Sequence, residues 1–151
     1  MLAIARDLEN LSVMPDKADP ECAERAAMTD DHPQFLELAR RTYANRRRRN
    51  KMFDHSLFGE PAWDMLLDLF IAAKERKRVS VTSACIGSDV PATTALRWIA
   101  VLESHGLVNR ESDPSDARRA YIHLTPTGYG KMIDYFSQEL RKFASNDGLA
   151  A

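Results

Sequence analysis

Apolar residues recur along most of this chain at helical spacing and give way to alternation only in short stretches. Between Pro33 and Phe53, Leu36, Ala39 and Tyr43 fall on one helical face, and Pro33 suits a first turn with Glu37 soon after. Phe58-Gly59-Glu60-Pro61 interrupts the pattern. Pro61 opens a second helix whose apolar face is Trp63, Leu66, Leu67, Phe70 and Ile71, and which fades at Lys74-Glu75-Arg76-Lys77-Arg78. Val79 and Val81 predict a short strand, and Ser80 or Thr82 a cap for a helix reaching about Ile86. After the turn Gly87-Ser88-Asp89, Pro91 starts a helix with the inner stripe Ala95, Ile99 and Leu102, stopped by Gly106. Leu107–Arg110 and Tyr121–Leu124 read as strands about the turn chemistry of Asp113-Pro114-Ser115-Asp116. Thr125-Pro126 then opens a last helix striped by Tyr129, Ile133, Phe136, Leu140 and Phe143.

The order within residues 90–125 is a short helix, a glycine stop, a strand, a polar basic loop, a returning strand and a new helix. It describes a recognition helix followed by a β-hairpin wing. The expected fold is therefore mainly α with a small β-hairpin, a winged helix-turn-helix. A helix of this kind fits the DNA major groove, and a basic hairpin beside it can touch the backbone or minor groove.

Net charge, −1 over 151 residues, argues against a nucleic-acid protein until it is divided. Residues 1–32 hold three basic and eight acidic residues; the remaining 119 hold 18 basic and 14 acidic. A basic domain thus follows an acidic leader, which contains Pro15 and Pro20 and is expected to be partly disordered. An apolar fraction of 44% supports a real core. No apolar run spans a bilayer and no secretory pattern opens the chain, so a cytoplasmic location without membrane contact is expected. Cys22 and Cys85 have no metal spacing and read as reduced thiols. His32, His55, His105 and His123 are scattered, and no nucleophile elbow, phosphate loop or dinucleotide fingerprint appears. Neither a metal, a cofactor nor an enzymatic activity is expected.

From Leu102 onward the spacing is specific. Leu102, Gly106, Leu107, Val108, Arg110, Asp113, Pro114, Asp116, Arg118, Leu124, Thr125 and Gly128 follow a pattern that resembles the MarR family of winged helix-turn-helix regulators, over about residues 33–143. Leu96, Trp98 and Ala117 depart from it, standing where a polar residue, a smaller residue and an arginine are usual. The resemblance implies a homodimer whose first and last helices interlock while two winged lobes read a palindrome. On this basis residues 33–151 form the domain. Its DNA-binding lobe covers about 61–125, and the N- and C-terminal dimerisation helices about 33–53 and 126–146. Many members release DNA when a small aromatic or an oxidant binds, so a small-molecule effector belongs to the expected partners.

Candidate contacts with double-stranded DNA follow. Thr93, Thr94 and Arg97 open the recognition helix away from Ala95 and Ile99; threonine can meet a phosphate or a thymine methyl, and arginine can fork onto guanine. The alternative is a solvated helix face. Arg118 and Arg119 occupy the wing, where a guanidinium gains from a narrow minor groove. Asp116 can instead pair with Arg118 and shape the hairpin. Ser80 and Thr82 sit where a helix start can hold a phosphate, or simply cap the helix. Arg46–Arg49 reads as a solvated face near the dimer region, with peripheral phosphate contact as the alternative. Cys85 reads as the small residue that two close helices need. Trp63, Phe70, Trp98, Phe136 and Phe143 read as core or dimer interface, with an effector pocket as the other use for them. Docking of a protein partner on Leu96 and Trp98, without specific DNA readout, is the alternative function.

Overall fold

A computed structural model describes residues 33–147; the acidic leader, Cys22 and His32 lie outside them. The elements are α1 (Pro33–Met52), a 3-10 turn (His55–Leu57), α2 (Pro61–Lys74), β1 (Val79–Ser80), α3 (Val81–Gly87), α4 (Ala92–Ser104), β2 (Val108–Asp113), β3 (Asp116–Leu124) and α5 (Pro126–Asp147). The three strands form one antiparallel sheet in the order β1-β3-β2.

α2 lies at the centre because apolar residues nearly encircle it. Met65, Leu67, Leu69 and Phe70 are buried, and the helix meets α1, α3, α4, α5 and β3. Ala95, Ile99 and Leu102 of α4, Val108 of β2, and Ile122 and Leu124 of β3 close the lobe from one side. Met132, Ile133 and Phe136 of α5 close it from another. Phe70 packs on Tyr129 and Phe136 with ring centroids 5.4 and 5.2 Å apart, near enough for aromatic attraction beyond simple burial.

Helix ends set the angles between elements. Ser80 caps α3: its Oγ accepts the Ser83 N–H at 3.1 Å. Three turns use left-handed backbone, at Arg76 (φ 56°), Asp89 (φ 60°) and Gly106 (φ 69°). After α4 the Leu107 N–H returns to the Leu102 carbonyl and the Gly106 N–H to that of Glu103, a Schellman closure that puts Gly106 where no Cβ is in the way. Thr125 ties the strands to α5. Its N–H donates to the Leu107 carbonyl, its hydroxyl donates to the Gly106 carbonyl at 2.6 Å, and that oxygen accepts the Gly128 N–H at 3.0 Å.

Several sequence expectations need correction. Arg46 and Arg47 are not solvated. Arg46 is 8% exposed and bonds Asp64 and Glu60, and Arg47 is half-buried against Tyr43 and Gly87. Helical spacing turns them inward, where the start of α2 and the turn after α3 supply carboxylates and a carbonyl. Arg48 is exposed, and Arg49 lies over the Phe58 ring. Trp98 and Phe143 are not core within this chain: they are 37% and 53% exposed, because the buried stripe of α4 is Ala95, Ile99 and Leu102 and α5 turns Met132, Ile133 and Phe136 inward. Both hairpin strands are longer than their apolar stretches, leaving only Pro114 and Ser115 between them.

Candidate nucleic-acid interface

At about 100° per residue, the burial of Ala95, Ile99 and Leu102 aims Thr93, Arg97, Ala100 and Ser104 outward from α4. All four are exposed, and they make a narrow strip in which two hydroxyls and a methyl group surround one guanidinium. Arg97 takes part in no ion pair or side-chain hydrogen bond among the described residues. Thr94 lies on the flank and is half-buried, so it faces outward less squarely than Thr93.

The wing is built from the strand register. Val108↔Leu124 through Ser112↔Ala120 pair regularly, whereas Asp113 pairs with Asp116, so Ala117, Arg118 and Arg119 are extra residues on β3. A bulge of this kind re-aims side chains, and Arg118 and Arg119 leave the hairpin from it, both exposed. The expected Asp116–Arg118 ion pair does not form. Asp116 Oδ1 accepts the Arg118 backbone N–H at 3.0 Å, which leaves the guanidinium unpaired among the described residues. Asp113 makes the matching turn one step earlier, accepting the Ser115 hydroxyl at 2.7 Å and N–H at 2.9 Å, and these bonds hold its carboxyl below the usual range. The Tyr121 hydroxyl, then Asp116 and Asp113, push Arg119 upward, so it stays charged.

A groove of about 550 Å³ runs between the wing and the start of α3, lined by Ser80, Val81, Thr82, Arg110, Asp116, Arg118, Arg119 and Ala120. Four of the seven candidates, Ser80, Thr82, Arg118 and Arg119, therefore share one concave surface. Thr93, Thr94 and Arg97 stand outside it on α4. Ser80 already uses its Oγ as the α3 cap, so Thr82 is the freer hydroxyl of the pair.

Two arginines of or beside the wing, Arg110 and Arg78, were not among the candidate contacts. Arg110 lines the groove but is forked onto Glu103 of α4 at 2.9 and 2.7 Å, a brace between α4 and the wing that raises its pKa. Arg78 lies 4.0 Å over the Tyr121 ring. Ser80 pairs with Tyr121, so Arg78, two residues earlier, is the diagonal neighbour on the same sheet face. Only the partner of β1 was missing from the sequence, and with it Arg78 becomes visible. Cys85 is buried and burial pushes its thiol pKa up, which fits packing and opposes easy oxidation. Among the described residues no cluster of side chains could hold a metal, and no helix is long and apolar enough to cross a membrane.

This architecture is shared with solved structures. The chain superposes on the Staphylococcus aureus MepR–DNA complex with a TM-score of 0.50 at 16% identity, covering 72% of this chain and 86% of MepR. The fold is the MarR-type winged helix. MepR in its DNA-binding conformation matches at 17% identity and TM-score 0.48, over 78% of this chain and 82% of that one. A structure of MarR matches at 22% identity and 0.42, over 52% and 57%. No family model and no curated protein matches the sequence. In MarR-type terms α3 and α4 are the helix-turn-helix, and β2 and β3 the wing.

Proposed function

We propose that this chain is a sequence-specific DNA-binding transcriptional regulator acting as a homodimer, with α4 in the major groove and the β2–β3 wing at the minor groove. One observation carries the reading. The guanidinium groups of Arg97 and Arg118 are exposed and without ionic partners among the described residues, on the two elements that a winged helix turns toward a duplex. Thr93, Arg97, Ala100 and Ser104 are slim enough for α4 to approach base edges, with Thr94 at the margin. Arg118 and Arg119, with Thr82 and Ser80 across the groove, meet the backbone beside it. Exposed Phe53, Tyr135 and Phe143 on or beside α1 and α5 supply apolar surface for a second copy. Two lobes about 34–36 Å apart would meet successive major grooves on one side of the duplex. An effector would act by shifting that spacing, through its differential affinity for the two arrangements.

Exposed Leu96 and Trp98 favour a second reading, docking of a protein partner. Across the outward face they lie about 200° apart around α4, however, with the strip of Thr93, Arg97, Ala100 and Ser104 between them. No single apolar patch joins them.

A duplex titration at two salt concentrations separates the two. With six phosphates neutralised per dimer, affinity should fall about 10³-fold between 50 and 200 mM salt, because bound counterions are released. Weak binding with a flat salt response would overturn the DNA reading. On a duplex selected from a random pool, Arg118→Ala should weaken binding to all sequences. Arg97→Ala should also erase about 1–3 kcal/mol of preference for the selected sequence.

A further inference from the structure

We propose that Tyr43 and Arg47 of α1 are positioning residues for the recognition helix, holding the α3–α4 turn by its Gly87 carbonyl. The proposal rests on the reading of α4 as the DNA-reading element, and it adds a residue pair that touches no DNA.

The last carbonyls of a helix need partners from outside its ladder. In α3, Ala84 receives the Ser88 N–H, Ile86 the Asp89 N–H and Cys85 the Ser88 hydroxyl. The residue four beyond Gly87 is Pro91, which has no N–H to offer. The Gly87 carbonyl is taken instead by α1: the Tyr43 hydroxyl donates at 3.0 Å and Arg47 Nη2 at 2.7 Å. Arg47 Nε and Nη2 also donate to the Tyr43 oxygen at 3.2 and 2.9 Å, and Nη1 pairs with Asp89 at 3.3 Å. All three guanidinium nitrogens are engaged, and so is the tyrosine oxygen.

The clamped turn is short and conformationally costly. Asp89 sits at φ 60°, an arrangement that a non-glycine residue keeps only when its surroundings over-determine it. A Cβ on Gly87 would meet Asp68 Oδ2 at 3.0 Å and the Tyr43 oxygen at 3.7 Å, so the carbonyl and its partners are packed with little slack. Arg46, the preceding residue, bonds Asp64 and Glu60 at the start of α2. Neighbouring arginines thus attach α1 to the lobe at two separated points, the opening of α2 and the entry to α4. Two points fix rotation where one would not. A shift of α1 therefore carries the entry of α4 with it.

The test uses the full-length protein and the variants Tyr43→Phe and Arg47→Ala. Loss of one contact with the turn in Tyr43→Phe, or two in Arg47→Ala, at about 1 kcal/mol each should raise amide exchange at residues 88–95 by about fivefold to tenfold or more, leaving β2 and β3 unchanged. Affinity for the selected duplex should fall by a similar factor. Affinity for a scrambled duplex and the salt slope should stay as in the wild type. Unchanged exchange in both variants overturns the clamp, and so does faster exchange spread evenly over the domain. Equal loss on both duplexes with a salt slope lower by about one would show Arg47 on a phosphate, which also overturns it. Should the wild type prefer no duplex, the functional reading fails, and the exchange result still judges the clamp.

Discussion

Gly128→Ala sets two effects of opposite sign against each other. Gly128 lies inside α5, where replacing glycine by alanine ordinarily stabilises by about 0.5–1 kcal/mol through chain entropy. Here the new Cβ would stand 2.1 Å from the Leu107 carbonyl oxygen, with the Leu107 carbonyl carbon at 3.0 Å and Cα at 3.2 Å. The obstacle is backbone, so no side chain can swing aside. Separation to 3.0 Å requires a shift of at least 0.9 Å between the start of α5 and the segment entering β2. That segment is where Thr125 makes its bonds to the Leu107 and Gly106 carbonyls, and Gly128 itself bonds Thr125. Breaking three bonds at about 1 kcal/mol each, two of them leaving carbonyls short of partners, costs about 3–4 kcal/mol. The propensity gain removes at most about 1 of these, so a net loss of about 2–3 kcal/mol is expected. Urea denaturation at fixed protein concentration measures it, since the midpoint of the proposed dimer would depend on concentration. A midpoint equal to or above the wild type, at unchanged slope, would mean that α5 and the β2 entry do not approach as described.

Three further outcomes follow from the same geometry. Asp64→Ala strips the buried Arg46 of its 2.6 Å partner and should destabilise by about 3 kcal/mol; a loss under about 1 kcal/mol would show that Glu60 alone suffices. Burial raises the Asp68 carboxyl pKa, with Glu75 adding to the rise and Arg47 opposing it. A raised native pKa means that stability is highest with the proton bound and falls as pH climbs through the raised value, so Asp68→Asn should stabilise at neutral pH and the gain should vanish below the unfolded value of about 3.9. Equal gains at pH 7 and pH 3 would refute this. In a Cys22→Ala background the Cys85 thiol should react with a disulfide reagent only as fast as the fold opens, and a free-thiol rate in native buffer would contradict its burial.

The elements of the winged lobe were legible because each has a local cause. The stripe Ala95, Ile99 and Leu102 marks α4, Gly106 takes the left-handed closure, and Thr125-Pro126 opens α5. The turns at Arg76 and Asp89 use the same backbone region without a glycine, so their left-handed residues were not marked, although the turn Gly87-Ser88-Asp89 itself was. The bulge holding Arg118 and Arg119 was hidden for a related reason. It arises from where Asp113 and Asp116 pair, a fact about two strands at once. The Asp116–Arg118 pairing fails similarly: at two residues' distance the carboxylate reaches the backbone N–H more readily than the guanidinium.

Charge was the least legible property. The surplus of basic residues beyond the leader lies in residues 33–60, where seven face three acidic ones; residues 61–151 are balanced at eleven of each. By count, the winged lobe has no attraction for a polyanion. The structure shows how the surplus acts. Arg46 pairs with Asp64, Arg47 with Asp89 and Arg40 with Glu75, so arginines of α1 neutralise lobe carboxylates. Glu103 is matched by Arg110. With those carboxylates answered from within, Arg97, Arg118 and Arg119 face outward with Glu111, Asp113 and Asp116 as the acidic residues of the wing, the last two held by turn N–H groups. The field at the outer surface is then set by which charges are paired internally, a property that net charge cannot express. The arginine run of α1, which in sequence reads as a solvated face, instead answers lobe carboxylates at Asp64 and Asp89.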